Sequence, residues 1–224
     1  MKSNISFSKI IPGIMEVLLG IFLAATTALA GVAPVPTTGQ TVSQLPGDDG
    51  ELQTGVPWPT PRFTIVLDGM GRSKGLVRDN LTKLQWLQNG NCFGPMTWEE
   101  ALSAVAKLNE EISMYGLACG YRGWQNDWRL PNLNELRSLI DIRFTFPALP
   151  NTQGTGQWSQ GTPFKNVLTD YEGYWTSTSA AWNPTTVAWT IRFAEGNVYG
   201  TWKTNPTPDG DSPRTYVWPV RGGQ

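Results

Sequence analysis

The stretch NDWRLPNLNELRSLID, residues 126–141, carries a stop, a cap and an apolar stripe in close succession. Asn132 stands three residues before Glu135, the spacing at which each side chain satisfies the other's backbone amide at a helix start. Pro131 disfavours helical geometry in the residue before it, so the helix has no backward extension. Leu133, Leu136, Leu139 and Ile140 recur at helical spacing. A helix is therefore predicted over 133–142. Arg129 lies between Trp128 and Leu130, which predicts a half-buried guanidinium in need of an acceptor, with Asp127 and Glu135 as the near candidates. Asp127, Trp128, Arg129, Pro131, Asn132 and Glu135 are read as scaffold, with ligand contact as the alternative.

Upstream, Thr97 and Glu100 repeat the capping spacing. Trp98, Ala101, Leu102, Val105 and Leu108 follow as an apolar stripe, predicting a helix over 98–112. Before it, RFTIVLD (62–68), LVRDN (76–80) and KLQWLQN (83–89) read as short strands of a β-meander. Downstream, residues 143–172 are rich in Pro, Gly, Asn, Thr and Gln and read as a long loop layer. YWTSTS (174–179) is a strand, and VAWTIRFAEGNVYGTWK (187–203) a hairpin turning at Glu195-Gly196-Asn197. In that hairpin Val187, Trp189, Ile191 and Phe193 alternate with Ala188, Thr190 and Arg192, the pattern of a half-buried strand. YVWPVRG (216–222) is a last strand, with Pro219 marking an edge or bulge. Strands, two helices, loops and strands in that order predict an α+β domain over 62–224, with two helices on short, mostly antiparallel sheets.

The N-terminus has Lys2 and Lys9 ahead of an apolar run from Val17 to Leu29 that ends in Ala28-Leu29-Ala30. This predicts a cleaved secretory signal over 1–30; the run is short for a membrane span, which needs roughly 20 apolar residues. The 17 basic and 18 acidic residues become 15 and 17 once Lys2, Lys9 and Glu16 are removed, a net charge of −2. That balance leaves neither the basic face of a nucleic-acid binder nor a polybasic membrane patch. Cys92 and Cys119, the two cysteines of a chain bound for an oxidising compartment, predict one disulfide. Residues 31–61 are Pro-, Gly- and Thr-rich and read as a linker or an arm lying on the domain, packed down at Trp58. Asp48, Asp49 and Glu51 within it read as a solvated turn, with calcium as the weaker alternative. No cofactor is otherwise expected.

TWEEAL (97–102), NDWRLPNLNELRSLID (126–141), YWTSTS (174–179), AEGNVYG (194–200) and VWPVRGG (217–223), in that order, resemble the Lcl C-terminal domain family. The resemblance covers about 62–223, and the DWRLPN-x-x-EL block and closing VRGG are its most specific parts. It implies a C-type-lectin-like fold, with terminal strands brought together and a loop-rich segment that often bears the ligand site. The family's namesake is the head of a collagen-like bacterial adhesin, associated with sulfated polysaccharides and trimers; this chain has no Gly-X-Y repeat. Of the calcium motifs of true C-type lectins, only Gln125-Asn126-Asp127 after Trp124 offers a loose likeness, so no metal site is expected.

Catalysis has little to work with. The chain has no histidine, so neither a Ser-His nor a Cys-His nucleophile can be built. A carboxylate-based hydrolase could draw on Asp127, Glu135, Asp141, Asp170 and Glu172, but acids beside caps and turns have ordinary structural uses. The 11 tryptophans are the better lead. Trp98, Trp128, Trp189 and Trp218 fall on apolar faces and read as core. Trp124, Trp158 and Trp182 fall in polar loops, where they either cover the domain's own edges or stack on a ligand. The expectation is a non-catalytic, secreted or cell-surface module that binds an extracellular glycan or surface protein. The alternative is a structural subunit of a surface assembly, a homo-oligomer in which the arm pairs with a neighbour's sheet edge.

Overall fold

A computed structural model describes residues 35–204 and 215–223. The expected signal segment 1–30 lies outside the described residues, as do residues 31–34 of the arm. Two four-stranded sheets organise the chain, with helices α1 (Asp49–Leu52), α2 (Trp98–Glu110) and α3 (Leu133–Arg137) around them.

The first sheet has the order β1-β2-β3-β8, all antiparallel, from β1 (Phe63–Leu67), β2 (Ser73–Asp79), β3 (Gln85–Leu87) and β8 (Val220–Arg221). The second has the order β6-β5-β4-β7, from β4 (Gly173–Ser179), β5 (Val187–Arg192), β6 (Asn197–Trp202) and β7 (Thr215–Tyr216), with β7 parallel to β4. The fold is thus α+β with mostly antiparallel sheets. Its closing segment differs from the single strand expected over 216–222: β7 belongs to one sheet and β8 to the other. Val217, Trp218 and Pro219 cross between them, and Pro219, which has no N–H to donate, lies in the crossing.

The capping boxes form as their spacing requires. Thr97 and Glu100 close the start of α2, and Asn132 and Glu135 the start of α3. Ala101, Val105 and Leu108 bury one face of α2, whereas Leu102 faces solvent. The helix stops at Glu110 and passes into a π-helical turn at Ile112–Gly116. α3 ends at Arg137, short of the expected 142. Arg62 Nη2 donates to Ser138 O at 2.8 Å and Asp141 N to Ala148 O at 3.1 Å, so tertiary partners take groups that a longer helix would use. β5 is also more buried than its alternation implies: Ala188 and Thr190 are buried as well as Val187 and Ile191, while Trp189 is only half-buried. β5 is an inner strand of its sheet, and both of its faces carry buried positions, with Trp189 left half-buried. In the following turn Gly196 has φ 75°, and a Cβ there would meet Ile140 Cγ2 at 2.6 Å, so neither geometry nor space admits a side chain.

Cys92 and Cys119 form a disulfide with Cα atoms 5.0 Å apart. It closes the loop that contains all of α2. Replacing both cysteines with alanine is expected to lower unfolding stability by about 3.5 kcal/mol, the chain-entropy value for a loop of this length; urea unfolding followed by tryptophan fluorescence measures it.

The described part of the arm is folded, not loose. Thr37 N donates to Val56 O and Val56 N to Val35 O, at 3.0 and 2.7 Å. Trp58 sends Nε1–H to Thr37 O at 2.9 Å and lies under the Arg62 and Arg143 guanidiniums, 4.4 and 5.5 Å from its ring centre. Asp48 caps α1: it accepts from the amides of Gln44, Leu45 and Glu51. These bonds, that of Gln44 foremost, hold its pKa at about 2. Glu51 accepts from Gly47 N, and Asp49 from the Thr38 hydroxyl. The three acids therefore serve backbone and hydroxyl donors, and no grouping suited to a metal ion occurs among the described residues.

Candidate functional site

The DWRLPN block is a junction. Arg129 and Val220 exchange both backbone hydrogen bonds, at 2.9 and 3.0 Å, tying the block to the first sheet. Ser177 N donates to Pro131 O at 2.8 Å and Leu133 N to Thr178 Oγ1 at 3.1 Å, tying it to β4 of the second. The Asn109 side chain clasps both backbone groups of Trp128, adding α2. Arg129 is partly buried and finds its acceptor in Glu135: Nη1 and Nη2 donate to the two carboxylate oxygens at 2.6 and 2.7 Å, and Nη2 also reaches Gly222 O. Asp127 instead accepts from Arg221 Nε at 2.6 Å, and Arg221 holds Gln85 as well. Asp141 is fully buried against Arg143. Three of the five acids available to a hydrolase thus belong to the framework, while Asp170 is exposed and Glu172 half-buried on the loop leading into β4.

Arg221 lowers the Asp127 pKa, chiefly through its hydrogen bond and against a smaller rise from desolvation. A depressed folded-state pKa stabilises above the unfolded value of about 4 and is lost as pH falls through the folded one. The stability deficit of Asp127→Asn at neutral pH is therefore expected to shrink as pH falls below the ordinary carboxylate value of about 4. The check is urea midpoints of both proteins across that range; because the carboxylate is half-exposed, the deficit is small.

The expected ligand tryptophans separate. Trp158 is 5% exposed and packs in the core, so its ring is not on offer to a ligand. The loop that carries it folds inward, with Trp158 N bonded to Leu149 O and Leu149, Phe164 and Val167 buried around it in sequence. Trp124 is 79% exposed, on a loop fastened beside β2 by Arg122 N to Lys74 O. Trp182 is 66% exposed, in the turn between β4 and β5 of the second sheet. Trp124 and Trp182 thus stand at the margins of different sheets.

Around Trp182 the structure assembles what sequence reasoning missed. Trp189 and Gly200 are directly paired across β5 and β6, and Val187 is paired with Trp202, so all four side-chain positions share one face. A Cβ on Gly200 would meet Trp182 Cζ2 at 3.1 Å: the indole of Trp182 lies over the gap left by that glycine. Trp182, half-buried Trp189 and Trp202, which is 48% exposed, therefore surround Gly200 on an edge strand. The alternation Val198, Gly200, Trp202 was the available signal, but nothing local says that this strand is an edge.

Two grooves lie along α2, apart from this indole group. One, of about 530 Å³, lies among Trp98, Glu99, Thr185, Lys203 and Thr204. The other, of about 780 Å³, runs along α2 past Phe93, Met96, Ser103, Lys107 and Tyr115. Both are lined by Thr97 and Glu99, so they meet at the first turn of α2. Trp98, expected in the core, is half-buried here: its Nε1–H donates to Thr176 O, and the Lys203 ammonium sits 3.9 Å from its ring centre. That ammonium also donates to Ser179 Oγ and Pro184 O at 2.7 and 2.8 Å. Glu100 accepts from Thr97 N–H and Oγ–H, which keeps its carboxyl below the usual range and charged. Exposed flat indoles on one sheet face suit stacking against the rings of a ligand.

A search of curated proteins finds none that matches the chain. The family model of the Lcl C-terminal domain matches residues 75–221. Those residues run from within β2 through both capping boxes, the DWRLPN junction and the aromatic hairpin to Arg221 in β8; β1 lies before them yet completes the first sheet. With more than half of its 224 residues matched in this way, the chain belongs to the Lcl C-terminal domain family.

Proposed function

We propose that the protein is a secreted or cell-surface, non-catalytic binding module for an extracellular polysaccharide or matrix polymer, held on a C-type-lectin-like framework. The observation that carries this reading is the indole group of Trp182, Trp189 and Trp202 around Gly200, on one face of an edge strand. A C-terminal strand that returns to the N-terminal meander supports the lectin-like framework. The Cys92–Cys119 disulfide supports export to an oxidising compartment. Among the described residues no helix is long and apolar enough to cross a membrane. The framework roles of Asp127, Glu135 and Asp141 support binding over hydrolysis. For a structural subunit joined through its arm, the folding of residues 35–61 on their own domain supplies no specific support.

The test is a polysaccharide array probed with the exported protein. Trp182→Ala and Trp202→Ala are each expected to weaken binding about tenfold, the loss of roughly 1.4 kcal/mol of ring stacking. Trp124→Ala is expected to leave it unchanged. Absence of binding to every polymer on the array would rule the reading out.

A further inference from the structure

Gly200 is a glycine that its own backbone does not require. It lies within β6, its φ is outside the left-handed region that favours glycine, and the neighbouring positions on the same face of the strand, Val198 and Trp202, carry side chains. Glycine inside a strand weakens it, because more chain freedom is lost on folding and no side chain packs. What the position does demand is space. A Cβ built there would stand 3.1 Å from Trp182 Cζ2 and 3.2 Å from Val187 Cγ1, each a few tenths of an ångström too close. Val187 is buried in β5 and yields little, whereas the Trp182 indole is 66% exposed and yields readily. The turn that carries the indole is held. Ala180 N donates to Val187 O and Val187 N to Asn183 O, both at 3.0 Å, and the Lys203 ammonium donates to Pro184 O at 2.8 Å. A side chain at position 200 therefore moves the Trp182 ring off β6 while the backbone of its turn stays in place.

We infer that Gly200 is the positioning residue of the indole group: its missing side chain lets the Trp182 ring settle onto β6 beside Trp189 and Trp202. The inference rests on the reading of these indoles as a binding surface and adds the residue that sets their arrangement. Its signature is that stability and binding separate. Replacing a strand glycine recovers chain entropy, which offsets the close contact with Val187, so the fold holds. The ring on which a ligand stacks is displaced all the same. Both consequences for the ligand run through one side chain. Once the Trp182 ring is gone, a side chain at position 200 has nothing left to displace.

The experiment compares the exported protein with Gly200→Ala, Gly200→Val, Trp182→Ala and the double variant Gly200→Val/Trp182→Ala. Each is measured for its urea midpoint, for its indole N–H resonances, and for binding to glucans, mannans and galactans and to their sulfated forms. Gly200→Ala is expected to hold the urea midpoint and to shift the Trp182 indole resonance, which is assigned by its loss in Trp182→Ala. Gly200→Val, with the larger side chain, is expected to shift it further and to weaken binding about tenfold, as Trp182→Ala does. The double variant is expected to bind as Trp182→Ala does, the non-additivity of two residues that act through one ring. An unmoved Trp182 resonance in both Gly200 variants overturns the inference. So does a double variant about tenfold weaker than Trp182→Ala, because Gly200 would then act on the ligand by another route. If wild type binds no polymer, the polysaccharide reading falls, and the resonance shifts and midpoints decide the role of Gly200 without it.

Discussion

Replacing Asp79 with alanine is expected to lower unfolding stability by about 3–5 kcal/mol, as removing one partner of a buried ion pair does. The Arg62 and Asp79 side chains are both wholly buried. Nε and Nη2 of Arg62 each donate to one carboxylate oxygen at 2.9 Å, and Nη2 also reaches Ser138 O beyond the end of α3. Asp79 further accepts from Leu81 N and Thr82 Oγ1, at 2.8 and 2.7 Å, which shapes the turn from β2 into β3. The other face of the guanidinium lies on Trp58. One carboxylate thus fixes the turn of the first sheet and, through Arg62, the seats of the arm and of α3. Without it the guanidinium keeps only a carbonyl and two aromatic faces. The apolar double replacement Arg62→Met/Asp79→Leu removes the buried charge together with its partner. It is expected to cost less than Asp79→Ala alone, by the logic that an absent pair is better than half of one. Urea unfolding of the three proteins decides it, and an Asp79→Ala protein within about 1 kcal/mol of wild type would show that water or another acceptor reaches Arg62.

Neither residue announces itself in the sequence. Arg62 stands at the start of a predicted strand and Asp79 near the end of another, and charged residues there are ordinarily solvated. What sequence does disclose is set within a few residues: the two capping boxes, the helical stripe of Ala101, Val105 and Leu108 and the β-branched run of β1; the Cys92–Cys119 pairing is the exception, legible because the chain has two cysteines. Interactions closed over long separations are invisible in it. Arg129 could be recognised as needing an acceptor, but the choice of Glu135 over Asp127 follows from Arg221, which arrives with β8 and claims Asp127. Trp158 and Trp182 sit in equally polar surroundings in sequence, yet one loop folds into the core and the other turns between β4 and β5 with its indole over the edge strand β6. Trp202 counts toward the candidate site only because the partner of its strand lies on one side alone, a fact of sheet order and not of composition.

Sheet order also places the second large effect, at Trp218. This residue occupies the crossing between β7 and β8 and is completely buried. Its ring lies 5.8 Å from Trp86 of β3, 5.4 Å from Tyr174 of β4, 5.6 Å from Phe193 just past β5 and 4.8 Å from Phe164 of the loop layer. Its Nε1–H donates to Leu87 O in the first sheet at 2.8 Å. Trp218→Ala therefore removes the shared ring of both sheets and the loop layer, and the expected loss is about 4–5 kcal/mol, the upper range for a buried indole. Trp218→Phe keeps an aromatic in place and loses the hydrogen bond and part of the volume, so about 1.5–3 kcal/mol is expected. Thermal and urea unfolding of the two variants, followed by far-ultraviolet circular dichroism, measures both. The alternative is that the DWRLPN junction alone joins the sheets, through Val220 on one side and Ser177 and Thr178 on the other. In that case Trp218→Ala would cost little and Arg129→Ala, which strips Glu135 and Gly222 of their shared donor, would cost more. The rings at Trp218 bury far more apolar surface than the junction's few hydrogen bonds can offset, at about 1 kcal/mol net for each bond, and that disparity places Trp218→Ala above Arg129→Ala in expected loss.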